Sequence, residues 1–157
     1  MIGRVNEIVD RENYYNITFA NMVHSDPVSM FYTTGNQVRN LPNKLDVLVI
    51  PVAAGIQMAG ILWGIKKLKK KIKRIIGVEV GPSRRTYIDK LFPERPNYEM
   101  KSFDGPFNKE IEEYLTTNEY LDGQYEAKAY NFMKNKLRIV NKKVCFWLVG
   151  SRLIDEE

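Results

Sequence analysis

Asp46–Val80 reads DVLVIPVAAGIQMAGILWGIKKLKKKIKRIIGVEV, and this stretch decides the fold. Its first part, Asp46–Val52, is short, β-branched and apolar without alternation, which suits a strand buried on both faces of a parallel sheet. Ala53–Ile56 reads as a loop. Met58, Ile61, Leu62, Ile65, Leu68 and Ile72 then recur at helical steps and form one apolar stripe. Gly60 and Gly64 lie one turn apart and permit close approach of a neighbouring element. Ile75–Val80 reads as a second buried strand. Strand, helix and strand in succession make a βαβ unit, for which a right-handed crossover is expected.

Working outward, Gly81-Pro82-Ser83 turns the chain, and a short helix is expected from Arg84 to Leu91. Phe92–Phe107 holds three prolines and a glycine and reads as a loop. Lys109–Leu115 and Gln124–Lys136 read as helices, the second capped by Asp122. Lys143–Val149, KVCFWLV, is a third buried-strand pattern. Upstream, Pro27–Gln37 reads as a turn continuing into a helix, and Asn13–Asn21 is aromatic but weakly patterned. The expectation is one α/β domain in three layers: a small, mostly parallel sheet of three or four strands with helices on both faces. Residues 46–157 form its core, and residues 1–45 are a segment suited to covering the sheet.

The chain has 157 residues, 44% hydrophobic and 27% charged, as in ordinary globular domains. The single cysteine, Cys145, lies in an apolar run and reads as a small buried hydrophobe; an intrachain disulfide is impossible. The opening residues lack the apolar core of a signal peptide and no apolar stretch is long enough to span a bilayer, so a cytoplasmic location and no membrane are expected. The net charge of +5 is concentrated in Lys66–Arg74. That run reads as the solvated outer face of the helix, with binding of nucleic acid or another acidic partner as the alternative. His24 and Asp26 are too few to form a metal site. Arg84 and Arg85, at the carboxyl edge of the sheet, are placed to meet an anion.

The segments VIPVAAGIQMAGI (Val49–Ile61) and GVEVGPS (Gly77–Ser83) resemble the strand, glycine-rich phosphate loop, helix start and following strand of fold-type II pyridoxal-phosphate (PLP) enzymes, the tryptophan synthase beta-like family. Phe31–Val38, FYTTGNQV, is similar to the Thr-Thr-Gly-Pro-Glu-Ile stretch of cysteine synthases. Ile17–Met22 is similar to that family's Gln-Phe-Asn-Asn-type run. Leu121–Ala129, LDGQYEAKA, and Val144–Ser151, VCFWLVGS, resemble the Asp-Pro-Val-Tyr-Thr-Gly-Lys-Ala helix start and closing strand of the aminocyclopropane-carboxylate deaminase and D-cysteine desulfhydrase branch. The resemblance covers most of the chain and implies the C-terminal half of such an enzyme.

The same resemblance implies that PLP chemistry is lost. The family's Schiff-base lysine lies in a Ser-x-Lys-type motif upstream of every matched segment, so the chain is expected to lack it. In the phosphate loop the matching positions are Ala53, Ala54, Gly55, Ile56 and Gln57, with only Gly55 kept and Ile56 expected where a phosphate oxygen would sit. Val149 matches the position whose threonine contacts the pyridine nitrogen, and it cannot hydrogen-bond through its side chain. Of the remaining residues near the matched helix start, Tyr125 is expected in the core and Lys128 in solvent. The sequence therefore points to a non-catalytic, pseudoenzyme-like module that binds another chain or a second copy of itself, as a structural or accessory component of a larger assembly, a virion among the candidates. No catalytic residue, metal or cofactor is assigned. The alternatives are one half of a split PLP-dependent lyase or deaminase, which would bind PLP, and a small-anion or metabolite-binding domain.

Overall fold

The computed structural model describes residues 27–116, 119–148 and 151–153. A parallel four-stranded sheet organises the molecule. Its strands are β1 (Lys44–Val52), β2 (Lys71–Glu79), β3 (Glu99–Ser102) and β6 (Val144–Phe146), in the order β3-β2-β1-β6. Helices α1 (Pro27–Gln37), α2 (Ile56–Lys67), α3 (Arg85–Leu91) and α4 (Glu126–Lys136) complete the α/β fold. A short 3-10 turn, Val38–Asn40, joins α1 to the approach to β1. Two further strands, β4 (Tyr114–Thr116) and β5 (Glu119–Leu121), pair antiparallel, and β5 also pairs antiparallel with β7 (Ser151–Leu153).

The lack of alternation in β1 has a direct structural cause. Leu45, Leu48, Ile50 and Val52 join the core beneath α1, α2 and α3, whereas Val47 and Val49 join a second core beneath α4. Successive side chains leave a strand on opposite faces, so a strand covered on both sides must be apolar at nearly every position. β2 repeats the pattern, with Ile75 on the first face and Ile76 and Val78 on the second. No helix among the described residues is long and apolar enough to cross a membrane.

Several expectations are corrected. The helical stripe ends early: α2 stops at Lys67, Leu68 is half-exposed, and Ile72 belongs to β2. Lys69 takes a left-handed conformation (φ 51°) in the intervening turn, and β2 begins at Lys71 because it pairs with β1 along its whole length. Lys66–Arg74 is therefore a helix end, a turn and a strand start, not the outer face of one helix. Residues 109–113 form no helix. They run as irregular chain against the Leu121–Gly123 segment, with the Ile111 N–H donating to Gly123 O at 3.1 Å and the Leu121 N–H to Glu113 O at 2.8 Å. The expected loop at 92–107 contains β3, an edge strand whose Glu99 pairs with Arg74 of β2 at 2.9 Å. The third strand is shorter than expected, ending at Phe146. The readings of Asn13–Asn21, His24, Asp26 and Ile17–Met22 lie outside the described residues.

Candidate functional site

A cleft of about 310 Å³ opens at the carboxyl end of β1. Strand pairing creates it. On one side β1 pairs with β2 as far as Val52, but on the other it pairs with β6 only as far as Val49. Among the described residues, the last bond on that side runs from the Trp147 N–H to Val49 O at 2.8 Å. Ile50–Val52 thus project about 10 Å beyond their β6 neighbour, at roughly 3.3 Å per residue. The chain leaves β1 towards β2 while β6 lies on the opposite side. This is the topological switch point, where open α/β sheets bind ligands.

The expected loop residues line this cleft. Ala53, Ala54, Gly55, Ile56 and Gln57 contribute to its wall with Pro51, Val52 and Met58, while Met30 arrives from α1 and Tyr125 and Glu126 from the start of α4. Gly55 precedes α2 with φ 90°, a left-handed conformation that favours glycine. A Cβ there would also press on Arg84 Cβ and Ile88 Cγ1, both at 3.2 Å. Backbone geometry therefore accounts for glycine at position 55. Ile56 is 1% exposed and packs into the core, so its branched side chain is an anchored part of the cleft floor and does not stand up into a ligand position. Val149 lies outside the described residues.

The two arginines are engaged within the fold. The Arg84 N–H donates to Glu79 Oε1 at 2.9 Å, and Arg84 Nε donates to Ala53 O at 3.3 Å, tying the end of β2 to the β1 loop. The Arg85 guanidinium lies over the Tyr98 ring, 5.3 Å from its centre. Glu79 is buried at the end of β2 and also accepts from Ser102 Oγ at 3.5 Å.

Glu126 is the residue that sequence reasoning missed. It is only 5% exposed. Burial raises its carboxyl above the ordinary glutamate range; its own backbone N–H partly offsets this, and the charge of Asp122 adds to it. The alternation Glu126-Ala127-Lys128-Ala129 gives no sign of such burial. What buries Glu126 is placement: β6 pairs parallel with β1, which brings the preceding α4 across the sheet. Asp122 fixes the helix entry, accepting from the N–H groups of Gln124 (3.0 Å) and Tyr125 (3.2 Å).

Tyr125 and Lys128 exchange their expected places. Tyr125 is 38% exposed at the cleft wall, whereas Lys128 is fully buried. Lys128 Nζ donates to Phe107 O at 2.6 Å, with Pro106 O at 3.5 Å, and lies 5.5 Å from the Phe107 ring centre. Burial pulls its ammonium below the ordinary lysine range, against the opposing pull of Glu110 and Asp122. Lys128 thus fastens the 106–107 loop to α4 and does not line the cleft.

The cleft can hold a small molecule against an apolar wall with a carboxyl at one side. The amino end of α2 offers a partial positive charge, but Glu126 contributes an acidic group to the same wall. Among the described lining residues there is no lysine, arginine or histidine, and among the described residues no cluster could hold a metal ion. Comparison of the chain with family models, curated proteins and solved structures finds no match.

Proposed function

We propose that this chain is a non-catalytic module related to the large domain of fold-type II PLP enzymes, and that it works by association with another protein chain or a second copy of itself. The observation that carries this reading is the composition of the cleft: two alanines, an anchored isoleucine and the buried acid Glu126 occupy the region corresponding to the family's phosphate cradle. A dianionic phosphate beside Glu126 meets like charge in a poorly solvated space, and either the phosphate or the carboxyl must then hold a proton.

Association is supported by the outer side of β6. Among the described residues, β6 is an edge strand of three residues, flanked by Val140 at 83% and Leu148 at 39% exposure. Apolar groups beside an unpaired strand edge are surfaces that proteins cover. Sedimentation velocity across a dilution series tests the reading. Reversible self-association, or a defined complex with a partner chain, that is lost in Val140→Glu/Leu148→Glu is expected. A compact monomer at every concentration, with no partner complex, would overturn it.

The buried carboxyl favours one second reading. A small ligand carrying a protonated amine on an apolar body fits the cleft better than the anion expected from ancestry. Calorimetric titration with short alkylamines and with inorganic phosphate separates the two, with amine binding abolished by Glu126→Gln as the expected result.

A further inference from the structure

The sheet's other end carries a feature that the cleft does not explain. At the amino-terminal edge, where β1, β2 and β6 begin, a groove of about 400 Å³ is lined by Lys44, Leu45, Asp46, Lys71, Ile72, Lys73 and Lys143. Among the described residues, four lysines and a single carboxylate share it. They come from three separate stretches of sequence, so the contiguous run Lys66–Arg74 supplies only part of the charge. The two ends of that run are engaged elsewhere: Lys66 with Glu94 at 2.7 Å, Lys67 over the Trp63 ring, and Arg74 with Glu99.

The groove works against the fold that holds it. Lys44 and Lys71 are register partners on adjacent strands, and like charges placed opposite one another destabilise a sheet. The one acid, Asp46, takes Lys73 Nζ at 2.7 Å and the Lys143 N–H at 2.8 Å, and these bonds hold its carboxyl below the ordinary range with added attraction from Lys73 and Lys142. Lys44, Lys71 and the Lys143 side chain gain no such partner from Asp46, and all three are exposed.

We infer that this edge binds the phosphate backbone of a nucleic acid, without regard to sequence. Charge density selects this occupant. Three adjacent strands place their lysines across about 10 Å, at roughly 4.8 Å per strand. A nucleic-acid strand carries a negative charge on every residue whatever its sequence, whereas an extended peptide presents only alternate residues to one face, and only its acidic ones are charged. Lysines are point charges without the forked geometry that reads base edges, and among the described lining residues there is no aromatic ring to stack a base.

The test is fluorescence anisotropy of a labelled oligothymidylate titrated with the whole chain over a range of salt concentrations. With one of the four lysines engaged by Asp46, about three phosphates are neutralised, and the logarithm of affinity should fall against the logarithm of salt with a slope of about −2. Lys44→Ala/Lys71→Ala/Lys143→Ala should weaken low-salt binding by more than about tenfold and flatten the slope. The control Lys90→Ala/Lys101→Ala/Lys109→Ala removes equal charge from exposed positions outside the groove and should keep both. No binding at low salt, or equal weakening in both triple variants, would overturn the inference. So would polyglutamate competing more strongly than unlabelled oligonucleotide, which would make an acidic protein the occupant. Circular dichroism of each variant separates lost binding from lost folding.

Discussion

Gly64→Ala adds one methyl group at the tightest point between α1 and α2. A Cβ at Gly64 would fall well inside 3.0 Å of the Gly35 carbonyl oxygen, and within 2.7 Å of Val38 Cγ2 and 2.9 Å of Val38 Cβ. Replacing a helix-interior glycine by alanine otherwise stabilises by up to about 1 kcal/mol. Overpacking a rigid contact costs about 1–3 kcal/mol. Here the nearest obstacle is a backbone oxygen of the facing segment, which moves only if α1 moves, so the upper part of that range applies. The net expectation is a loss of about 1–2 kcal/mol. For a chain of this size that lowers the melting temperature by roughly 2–8 °C. Urea denaturation measures it directly. Trimming the neighbour in Val38→Ala should not rescue Gly64→Ala, because the limiting contact is with backbone. Unchanged or increased stability in Gly64→Ala would refute the close packing of these helices.

Glu126→Gln should be more stable than the parent at neutral pH, with the difference fading below pH 4.5. Burial favours the protonated acid, so Glu126 helps the fold below its ordinary value of 4.5 and loses that contribution as pH rises through its raised value. Paired denaturation curves across pH check the sign. Lys128→Ala should cost about 2–5 kcal/mol by leaving a cavity, and Lys128→Met, which keeps most of the volume but removes the donor to Phe107 O, about 1–3 kcal/mol; unchanged stability in Lys128→Met would contradict the fastening role. Tyr98 is pushed up to about 12 by burial and by its hydrogen bond to Asp89. Its contribution is present below pH 10 and lost as pH rises towards 12, so an alkaline absorbance titration should show a late-ionising tyrosine that Tyr98→Phe removes.

The centre of the fold was legible because burial on both faces leaves a plain mark. A run such as DVLVIPV cannot be half-exposed, and β1 lies where that run predicts. Arg84–Leu91 was legible from the turn before it, and α3 follows with Arg84 at its cap. The edges were not. β3 reads Glu-Met-Lys-Ser, and its place depends on β2 beside it and on Arg74 meeting Glu99. The small antiparallel sheet left no sign either, since its strands have three residues each. Lys66–Arg74 misled because a helical spacing of apolar residues ran on past Leu68, while the turn at Lys69 is set by the register of β2 on β1.

The site shows the same division. Residues 53–57 stand out from their neighbours in sequence, and they line the cleft. Glu126 was not found, because nothing local distinguishes a buried acid at a helix start from a solvated one. Lys128 was misplaced for the same reason: its carbonyl partners are more than twenty residues away.

The central proposal is that the cleft does not serve PLP, and reductive trapping tests it most directly. The purified chain is mixed with equimolar PLP, reduced with borohydride, and mapped by peptide mass spectrometry. The account predicts only scattered, substoichiometric labelling of exposed lysines such as Lys67, Lys69 and Lys71, with Lys128 unmodified because it is buried with Nζ bonded to Phe107 O. A stoichiometric adduct on a single lysine, accompanied by an aldimine absorbance band before reduction, would contradict it.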